Sequence, residues 1–571
     1  MSRSAHWILP APDNARVETL ARQLGIPALV ARVLVHRGYD TPDAAGAFLN
    51  PRLDDLHPPH LLTGMTEAVA RLRRAIDARE RILLYGDYDV DGTTSIVILM
   101  KALALAGADA RYFVPHRIRD GYGMREEVIE QASRDNIRLI VSVDTGIRAT
   151  PVVERARELG IDVIVTDHHL PEEALPPALA VLNPNRPDCA YPEKNLCGAG
   201  VAFKLVQALM DSLGWEPARV RALTESFLKM VAIATVADVV PLTGENRIIV
   251  AHGLNGLTRV RNAGLRALLQ VAGFQEGDEP SAGQVAFRIA PRINAAGRMA
   301  DAGQVIELFL TNDATHALTI AQQLHEWNAE RQQTEADTLA ACLEAQVHDD
   351  ERALVFAGEG WHKGVVGIVA SRLVERYHRP VFVLAIDPAT GEASGSGRSI
   401  EAFHLLDALE SMSELFTRFG GHSHAAGVTL PADRIPEFRQ RFDAHARAVL
   451  NDDDLRPRLK IDATAAFHEL TDSTVAALLK LGPFGQGNAA PVLVTTNASF
   501  PFPPTVMKEK HLRFKAAHGG KQLAMKAWRF AERLPEFTLD RVFDLAYVVE
   551  DDPFSAARGY APWSATLRDL R

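Results

Sequence analysis

The chain has 571 residues, 47% of them apolar and 23% charged, and carries a net charge of −10. This composition is that of a soluble globular protein, its length implies about three or four domains, and no window approaches the ~18 uncharged apolar residues of a membrane span. The acidic sum argues against a polyanionic partner only on average, because local charge decides that question.

The N-terminus, Met1-Ser-Arg-Ser-Ala-His-Trp7, lacks the apolar core of a secretory signal, so a cytoplasmic protein is expected. Three cysteines, Cys189, Cys197 and Cys342, with no Cys-x-x-Cys pair, predict reduced thiols rather than a disulfide framework or structural zinc. Residues 1–50 read as a helical lead-in, with apolar spacing through Val17-Glu-Thr-Leu-Ala-Arg-Gln-Leu24. Strand and helix signals then alternate over 51–310. Arg81-Ile-Leu-Leu-Tyr85, residues 139–143 and residues 161–166 are buried-strand patterns, separated by helical stretches at 94–105 and 152–159. Such alternation predicts βαβ units and a parallel sheet, with ligands at the carboxyl ends of the strands. Residues 311–348 read as a long polar connecting helix, and 349–452 as a second α/β unit. After the acidic Asn451-Asp-Asp-Asp454 linker, 456–571 carry short β-like runs that suit a small barrel.

Four strand-like apolar runs end in acids or histidines: Gly86-Asp-Tyr-Asp-Val-Asp-Gly92, Val143-Asp-Thr-Gly146, Thr166-Asp-His-His169 and Val236-Ala-Asp-Val-Val-Pro241. An unpaired buried charge costs several kcal/mol, so four such placements suggest convergence on divalent cations. Asp87, Asp89 and Asp91 alternate, which lines three carboxylates along one rim of an extended segment. A calcium loop of the EF-hand type needs Glu at its twelfth position; counting from Asp87, that position is Ile98. Asp167-His168-His169 combines oxygen and nitrogen donors suited to Mn²⁺ and tolerant of Mg²⁺. Adjacent histidines do not easily share one ion, so one ligates while the other faces the substrate. The bland readings are exposed Asp-rich turns and a surface histidine pair.

Together these motifs resemble those of the DHH phosphoesterase superfamily, and the similarity runs along nearly the whole chain to its single-stranded-DNA exonucleases. It continues through Ala290-Pro-Arg-Ile-Asn-Ala-Ala-Gly-Arg298, His362-Lys-Gly-Val-Val-Gly-Ile-Val-Ala-Ser-Arg372, Ser394-Gly-Ser-Gly-Arg-Ser399 and Gly420-Gly-His422. The resemblance implies an α/β fold: a parallel-sheet DHH phosphoesterase domain, a long connecting helix, a second α/β DHH-associated domain and a C-terminal OB-fold β-barrel. It implies degradation of single-stranded DNA from the 5′ end to mononucleotides, in recombination and repair, using two Mn²⁺ or Mg²⁺ ions. Metal ligands would be Asp89, Asp91, Asp144, His168 and Asp238, with Asp144 bridging and Asp87 matching the first family acid. Asp167 would orient a neighbouring ligand, and His169 would ligate or steady the scissile phosphate. The expected reaction is in-line attack of activated water on phosphorus, with departure of the 3′ oxygen.

For substrate grip, Arg292, Asn294 and Arg298 lie in an acid-free stretch, and Ser396 with Arg398 lies in a glycine-rich run fit for a phosphate nest. His362, His422 and Arg117 match family positions near the strand. Residues 508–529 hold seven Lys/Arg against Glu509 alone, a local balance of 7 − 1 = +6. There Lys508, Lys510 and Arg513 neighbour Phe514 and Trp528, a pattern that suits a single strand, with a barrel-core Phe514 as the bland alternative. The family role implies single-strand-binding protein and a RecQ-type helicase as partners, no membrane, and a monomer. Hydrolysis of pyrophosphate, oligoribonucleotides or cyclic dinucleotides is the rival activity, and a non-catalytic single-strand-binding scaffold the rival class. No Gly-x-x-x-x-Gly-Lys-Ser/Thr loop supports a motor.

Overall fold

Aliphatic runs with no polar face suit strands covered on both sides, and here they form a fully parallel sheet. In the computed structural model, which describes residues 5–571 except Pro10, Pro12, Ile118, Tyr122 and Tyr560, with only the backbone of Phe554, these strands are β1 (Arg81–Tyr85), β2 (Asp109–Phe113), β3 (Ile137–Val143), β4 (Asp162–Thr166) and β5 (Ala180–Leu182). Their order is β2-β1-β3-β4-β5, every pair parallel. Helix α1 (Val90–Leu105) connects β1 to β2. Alternate side chains face opposite sides of the sheet: Ile82, Leu84, Leu139 and Val141 pack with α1, α2 (Gly198–Ser212) and α3 (Pro217–Ala237), whereas Leu83, Tyr85, Ile140 and Val163 pack with Ile129 and Val153. The chain leaves β1 first toward β2 and then returns to β3 on its other side. That reversal opens a crevice at the carboxyl ends of β1 and β3, where open α/β sheets bind ligands.

A five-residue π-helical turn, Val285–Ile289, leads into α4 (Ala290–Met299). The 31-residue α5 (Ala314–Glu344) follows, capped by Asp313 on the amides of Thr315 and His316. Its polar sequence is explained by what it buries: Asn328, Arg331 and Glu335 form a ladder, with Arg331 to Glu335 at 2.7 Å, and Glu335 also accepts from Arg372 at 3.1 Å. Arg372 lies on α6 (Val366–Tyr377) of the second α/β layer, so the buried glutamate ties α5 to that layer. The second sheet contains β6 (Leu354–Glu359), β7 (Val381–Asp387), β8 (Glu392–Arg398), β9 (Arg418–Gly421) and β10 (Ala425–Pro431), ordered β9-β10-β8-β7-β6. Only β6 and β7 are parallel. Gly395 is required in β8, because a Cβ there would stand 2.0 Å from the Val383 carbonyl oxygen.

Two compact units emerge. One holds Leu53–Asn451 with Gly485–Gly487; the other holds the described residues of Met1–Arg52 together with Asp452–Phe484 and Asn488–Arg571. The helical lead-in thus folds with the C-terminal unit. Val17, Leu20, Leu29, Val33 and Phe48 share one core with Phe467, Val475 and Leu478, and Arg37 donates to Asp462 and Asn488, both at 2.7 Å. An amphipathic helix pair must cover its apolar stripe, and the barrel side supplies the cover.

The barrel strands are β11 (Leu493–Ala498), β12 (His511–His518), β13 (Lys521–Ala527), β14 (Phe543–Asp551) and β15 (Trp563–Leu570), laddered β11-β14-β15-β13-β12. The ladders leave the sheet open between β12 and β11. There, a single antiparallel bridge, Ser499 to Ala517, joins the two ends through hydrogen bonds of 2.9 and 2.8 Å. With β13 and β15 parallel, this is a five-stranded, partly open barrel of the OB type. Along β12, Leu512, Phe514 and Ala516 point inward while Arg513 and Lys515 are exposed. Phe514 is 4% exposed and packs against Phe500 and Phe537. A ring so enclosed does not stack on a base, which corrects the strand-stacking expectation for this residue. Phe514→Ala will therefore lower the stability of the C-terminal unit by about 3–5 kcal/mol, read from urea denaturation by circular dichroism. An unchanged midpoint would remove Phe514 from the core.

Candidate metal centre

Three strand ends deliver the acidic groups. After β1 the chain turns at Gly86 and Asp87, and Asp89 caps α1 by accepting the Gly92 amide at 3.0 Å. A side chain at Gly92 would collide with the Asp87 backbone at 2.6 Å, so the tight turn depends on glycine. Asp91, one residue into α1, is 2% exposed, and the amides of Gly198 and Ala199 at the start of α2 donate to it at 2.5 and 2.8 Å. A helix N-terminus stabilises an anion placed there. Asp144 follows β3 in the left-handed region, φ 57°. Gly198 lies so near that a Cβ would stand 2.8 Å from Asp144 Cβ. The fourth acid comes from a helix and not from the expected strand: Asp238 ends α3, and the next residue, Val239, also adopts positive φ, 60°. Positive φ at a β-branched residue costs energy and persists where surrounding structure enforces it.

These groups meet. His168 Nε2 lies 3.2 Å from Asp144 Oδ1 and 3.7 Å from both Asp91 Oδ2 and Asp238 Oδ2. Potential ligand atoms form three overlapping clusters, each within 4.8 Å: Asp87, Asp89 and Asp144; Asp144, His168 and His169; Asp91, His168 and Asp238. Asp144 and His168 each belong to two. Buried Asp87 Oδ1, His168 Nε2 and Asp238 Oδ2 have no hydrogen-bond partner among the described residues. Burial, then repulsion from Asp89, pushes Asp87 up to about 8, and burial with the charges of Asp91 and Asp89 pushes Asp238 up to about 9. Asp144 and Asp91 are raised too, chiefly by burial. Burial lowers His168, which keeps its imidazole neutral. Carboxylate oxygens and a neutral imidazole nitrogen, buried and converging, fit hard or borderline divalent cations such as Mn²⁺ and Mg²⁺.

His169 is held differently. Its Nδ1 lies 2.7 Å from Asp167 Oδ1, and Asp167 also accepts the amides of Ile147, His168 and His169. Burial opposes charge on His169, but the bond and charge of Asp167 outweigh it and raise its pKa. The same set of bonds outweighs burial at Asp167 and lowers its pKa. Asp167 thus sets the proton on Nδ1 and leaves Nε2 to face outward.

Two residues that sequence reasoning did not single out complete the frame. Asn183 donates to the His169 carbonyl at 2.8 Å, and Asn185 to the His168 carbonyl at 2.6 Å. They directly follow β5, so the rule that found the other groups, polar residues at the ends of parallel strands, could have found these.

The anion-binding candidates divide. Arg298, Arg398 and Arg117 lie within electrostatic reach of one another. Burial, then the charges of Arg117 and Arg331, lowers Arg298 to about 10, and burial with Arg117 lowers Arg398. Arg298 donates to the Gly364 carbonyl at 2.9 Å, and Arg117 stands over the Tyr88 ring at 5.0 Å. Gly367, in the first turn of α6, faces Ser396 and Arg398; a Cβ there would stand 3.1 Å from the guanidinium. His362 Nδ1 accepts the Gly364 amide at 3.0 Å. His422 is lowered by burial and by Arg148 and His169, which marks it as facing the centre. Two of the candidates also have protein partners. Asn294 Oδ1 accepts the Val90 amide at 3.2 Å and so caps α1, and its Nδ2 is the atom that could donate to a phosphate. Arg292 turns to His325 at 3.2 Å and to the Arg288 carbonyl, apart from the other arginines. In the other unit, Lys508, Lys510 and Arg513 are exposed and Trp528 is 48% exposed, edge-on to His511.

Residues 81–235 match the DHH family, N-terminal domain, residues 350–448 the DHHA1 domain, and residues 461–559 the RecJ OB domain. The single-stranded-DNA-specific exonuclease RecJ of Dickeya dadantii is 39% identical over 555 residues, 93% of this chain and 94% of that protein. The chain belongs to the RecJ family. RecJ of Bacillus subtilis is 38% identical over 87% of this chain, which spans 62% of that longer relative. The crystal structure of Thermus thermophilus RecJ in complex with Mn²⁺ superimposes with a TM-score of 0.85 at 32% identity, covering 100% of this chain and 80% of that one; the same protein's Mg²⁺ complex gives 0.79. The α/β architecture with its DHH, DHHA1 and OB domains is thus that of the RecJ family. Among the described residues, no helix is long and apolar enough to cross a membrane.

Raised carboxyl pKa values have a defined consequence for the metal-free protein. Between the unfolded value near 4 and the folded values of about 8 and 9, the native state holds protons that the unfolded state has lost. Stability in chelator should therefore fall as pH rises from 5 to 9. Mn²⁺, which replaces those protons, should raise Tm by an increment that grows over the same window. Differential scanning calorimetry with and without Mn²⁺ checks both, and a Mn²⁺ increment independent of pH would contradict the protonated-centre account.

Proposed function

We propose that this protein is a metal-dependent exonuclease that degrades single-stranded DNA in the 5′ to 3′ direction to mononucleotides. One observation carries the reading: the cluster of buried carboxylates and one neutral imidazole lies within electrostatic reach of Arg298, which with Arg398 and Arg117 forms a group of arginines that have no ion-pair partner among the described residues. When bound, paired divalent cations activate water and stabilise the charge of an in-line phosphoryl displacement.

The chain's own residues do the rest. Asp87, Asp89, Asp91, Asp144, His168 and Asp238 would supply the ligand atoms, with Asp144 and His168 each common to two of the clusters. His169, whose pKa Asp167 raises, would as an imidazolium keep one N–H on Asp167 and donate Nε2–H to a non-bridging oxygen of the scissile phosphate. Arg298, Arg398 and Arg117 repel one another in a partly dry site, and a terminal 5′ phosphate relieves that repulsion. Ser396, the first turn of α6 and His362 line the same side, and His422 lies within electrostatic reach of His169. A terminal phosphate held there, beside a fixed hydrolytic centre, explains exonucleolytic release of one nucleotide at a time. Exposed Lys508, Lys510, Arg513 and Trp528 suit a single strand tracking along the barrel, bases on the indole and phosphates on the cations. Single-strand-binding protein and a RecQ-type helicase are the partners this role calls for, with the enzyme acting as a cytoplasmic monomer. Pyrophosphate or a cyclic dinucleotide would leave the basic barrel without a task.

End-labelled oligonucleotides provide the test. With Mn²⁺, label should be released as mononucleotide from 5′-labelled single strands, while duplex DNA and pyrophosphate stay intact and chelator stops the reaction. Asp144→Asn should lower the rate by about 10³-fold or more with strand binding retained. Arg398→Ala should raise KM more for 5′-phosphorylated than for 5′-hydroxyl strands. Release from the 3′ label first would overturn the polarity, and full activity in chelator would overturn the mechanism.

A further inference from the structure

The stripe of α4 that leads to the arginine group begins on an aromatic ring. Phe287 is 77% exposed, more than any other large apolar side chain among the described residues. A single exposed apolar residue is ordinary on a protein surface. Three properties set this one apart.

The first is its mounting. Phe287 sits at the centre of the π-helical turn Val285–Ile289, a form that recurs at functional sites. Before it, Ser281 and Gln284 close a reciprocal capping box, each side chain accepting the other's backbone amide, at 3.2 and 2.9 Å. After it, Arg288 donates to the Ala272 and Gly273 carbonyls and lies 4.1 Å from the centre of the Phe274 ring. Val285 and Ile289 are buried. The ring therefore stands outward from a fixed base.

The second is alignment. Phe287, Pro291, Asn294 and Arg298 recur at i, i+4, i+7 and i+11, one face of a helix, while Val285, Ile289, Ile293 and Ala296 turn to the core. That face runs to the site. Asn294 caps α1 beside Asp89, a Cβ at Gly297 would stand 2.5 Å from the Tyr88 carbonyl oxygen, and Arg298 belongs to the arginine group. Eleven residues separate Phe287 from Arg298, about 16 Å along the axis. The third is charge. Residues 281–300 contain Arg288, Arg292 and Arg298 and no acid. Arg292 bonds to His325 Nδ1 and the Arg288 carbonyl, neither of them a carboxylate. An exposed ring between guanidinium groups suits a single strand, with bases stacked and phosphates paired.

We infer that Phe287 is a stacking platform for an interior base of the bound single strand, and that Arg292 meets a phosphate between that base and the 5′ end. The inference rests on the single-strand reading above and adds a subsite to it. At ~3.4 Å per stacked nucleotide, the ring lies four or five nucleotides from the terminal phosphate, and fewer where the strand is extended. Every base has a flat face, so the subsite grips without reading sequence.

The test is strand binding in chelator, which sets hydrolysis aside. Fluorescence anisotropy follows 5′-phosphorylated, 3′-fluorescein-labelled single strands that carry one abasic residue, moved position by position from the 5′ end. On the intact strand, Phe287→Ala should weaken binding by about tenfold, and Phe287→Trp should retain it. The ring is exposed, so folding of the variants is not in question. In the native chain one abasic position, between the third and the sixth, should also cost about tenfold. In Phe287→Ala that same position should cost nothing further, while the remaining positions cost the same in both proteins. With Mn²⁺, Phe287→Ala should raise KM for long strands and leave a dinucleotide, too short to reach the ring, unaffected. Binding by Phe287→Ala within twofold of native overturns the platform, and so do losses that simply add at every position. The coupled pattern in a chain that does not cut DNA with Mn²⁺ sustains the platform and overturns the nuclease reading. Normal cutting without the pattern overturns the platform alone, and a native chain that does not hold the intact strand overturns both.

Discussion

Mutual repulsion among buried carboxylates is the constraint on which the rest of this molecule depends. Asp87, Asp91 and Asp144 are almost wholly enclosed, and Asp238 adds a fourth acid within 3.7 Å of the same imidazole nitrogen. Left alone, such a group holds protons or distorts. The scaffold keeps it together by other means. The amides at the start of α2 grip Asp91, the backbone at Asp144 and Val239 is forced to positive φ, and Asn183 and Asn185 hold the two histidine carbonyls. These interactions fix the donors in advance, so that cations meet a preformed cradle.

The fold places that cradle through its topology. A parallel sheet ordered β2-β1-β3-β4-β5 reverses direction beside β1, and the crevice so formed collects the ends of β1, β3 and β4. Helices on both faces make the sheet dry, which raises the cost of every unpaired charge at its rim and strengthens every charge that is paired. The second α/β layer carries the opposite sign. Arg398, the first turn of α6 and the Arg298–Gly364 contact form a positive counterpart to the acidic rim, and the Arg331–Glu335–Arg372 ladder fastens the connecting helix to that layer. A substrate that is anionic along its length and at its terminus suits both signs: cations mediate at one end and guanidinium groups act directly at the other.

The C-terminal unit follows a separate logic. Its strands alternate strictly, so the residues that look like a DNA-binding run divide by parity: Arg513 and Lys515 outward, Phe514 inward. The N-terminal helices complete its core, with Arg37 and Arg32 fastening them to Asp462 and Glu469. Distant ends of the chain thus build one folding unit, which no local pattern announces.

Several features were legible from residue order alone: apolar runs ending in acids, the Asp-His-His triplet, the polar connecting helix and the glycine-rich Ser394–Ser399 run. Each is a local consequence of burial and periodicity, but the glycine-rich run, expected as a nest of free amides, lies from Glu392 to Arg398 in β8, paired on both sides, so its side chains and not its backbone are left to meet an anion. Tertiary structure alone decided the rest. Whether Phe514 faces a base or a core depends on strand parity relative to a barrel built from residues far away. That Asn294 caps α1 through its Oδ1 depends on how two helices cross. The same holds for the grip of Asn183 and Asn185 on the histidine carbonyls. Residue type determines which chemistry is available, but distances between segments remote in sequence determine which side chains share it, and those distances exist only after folding.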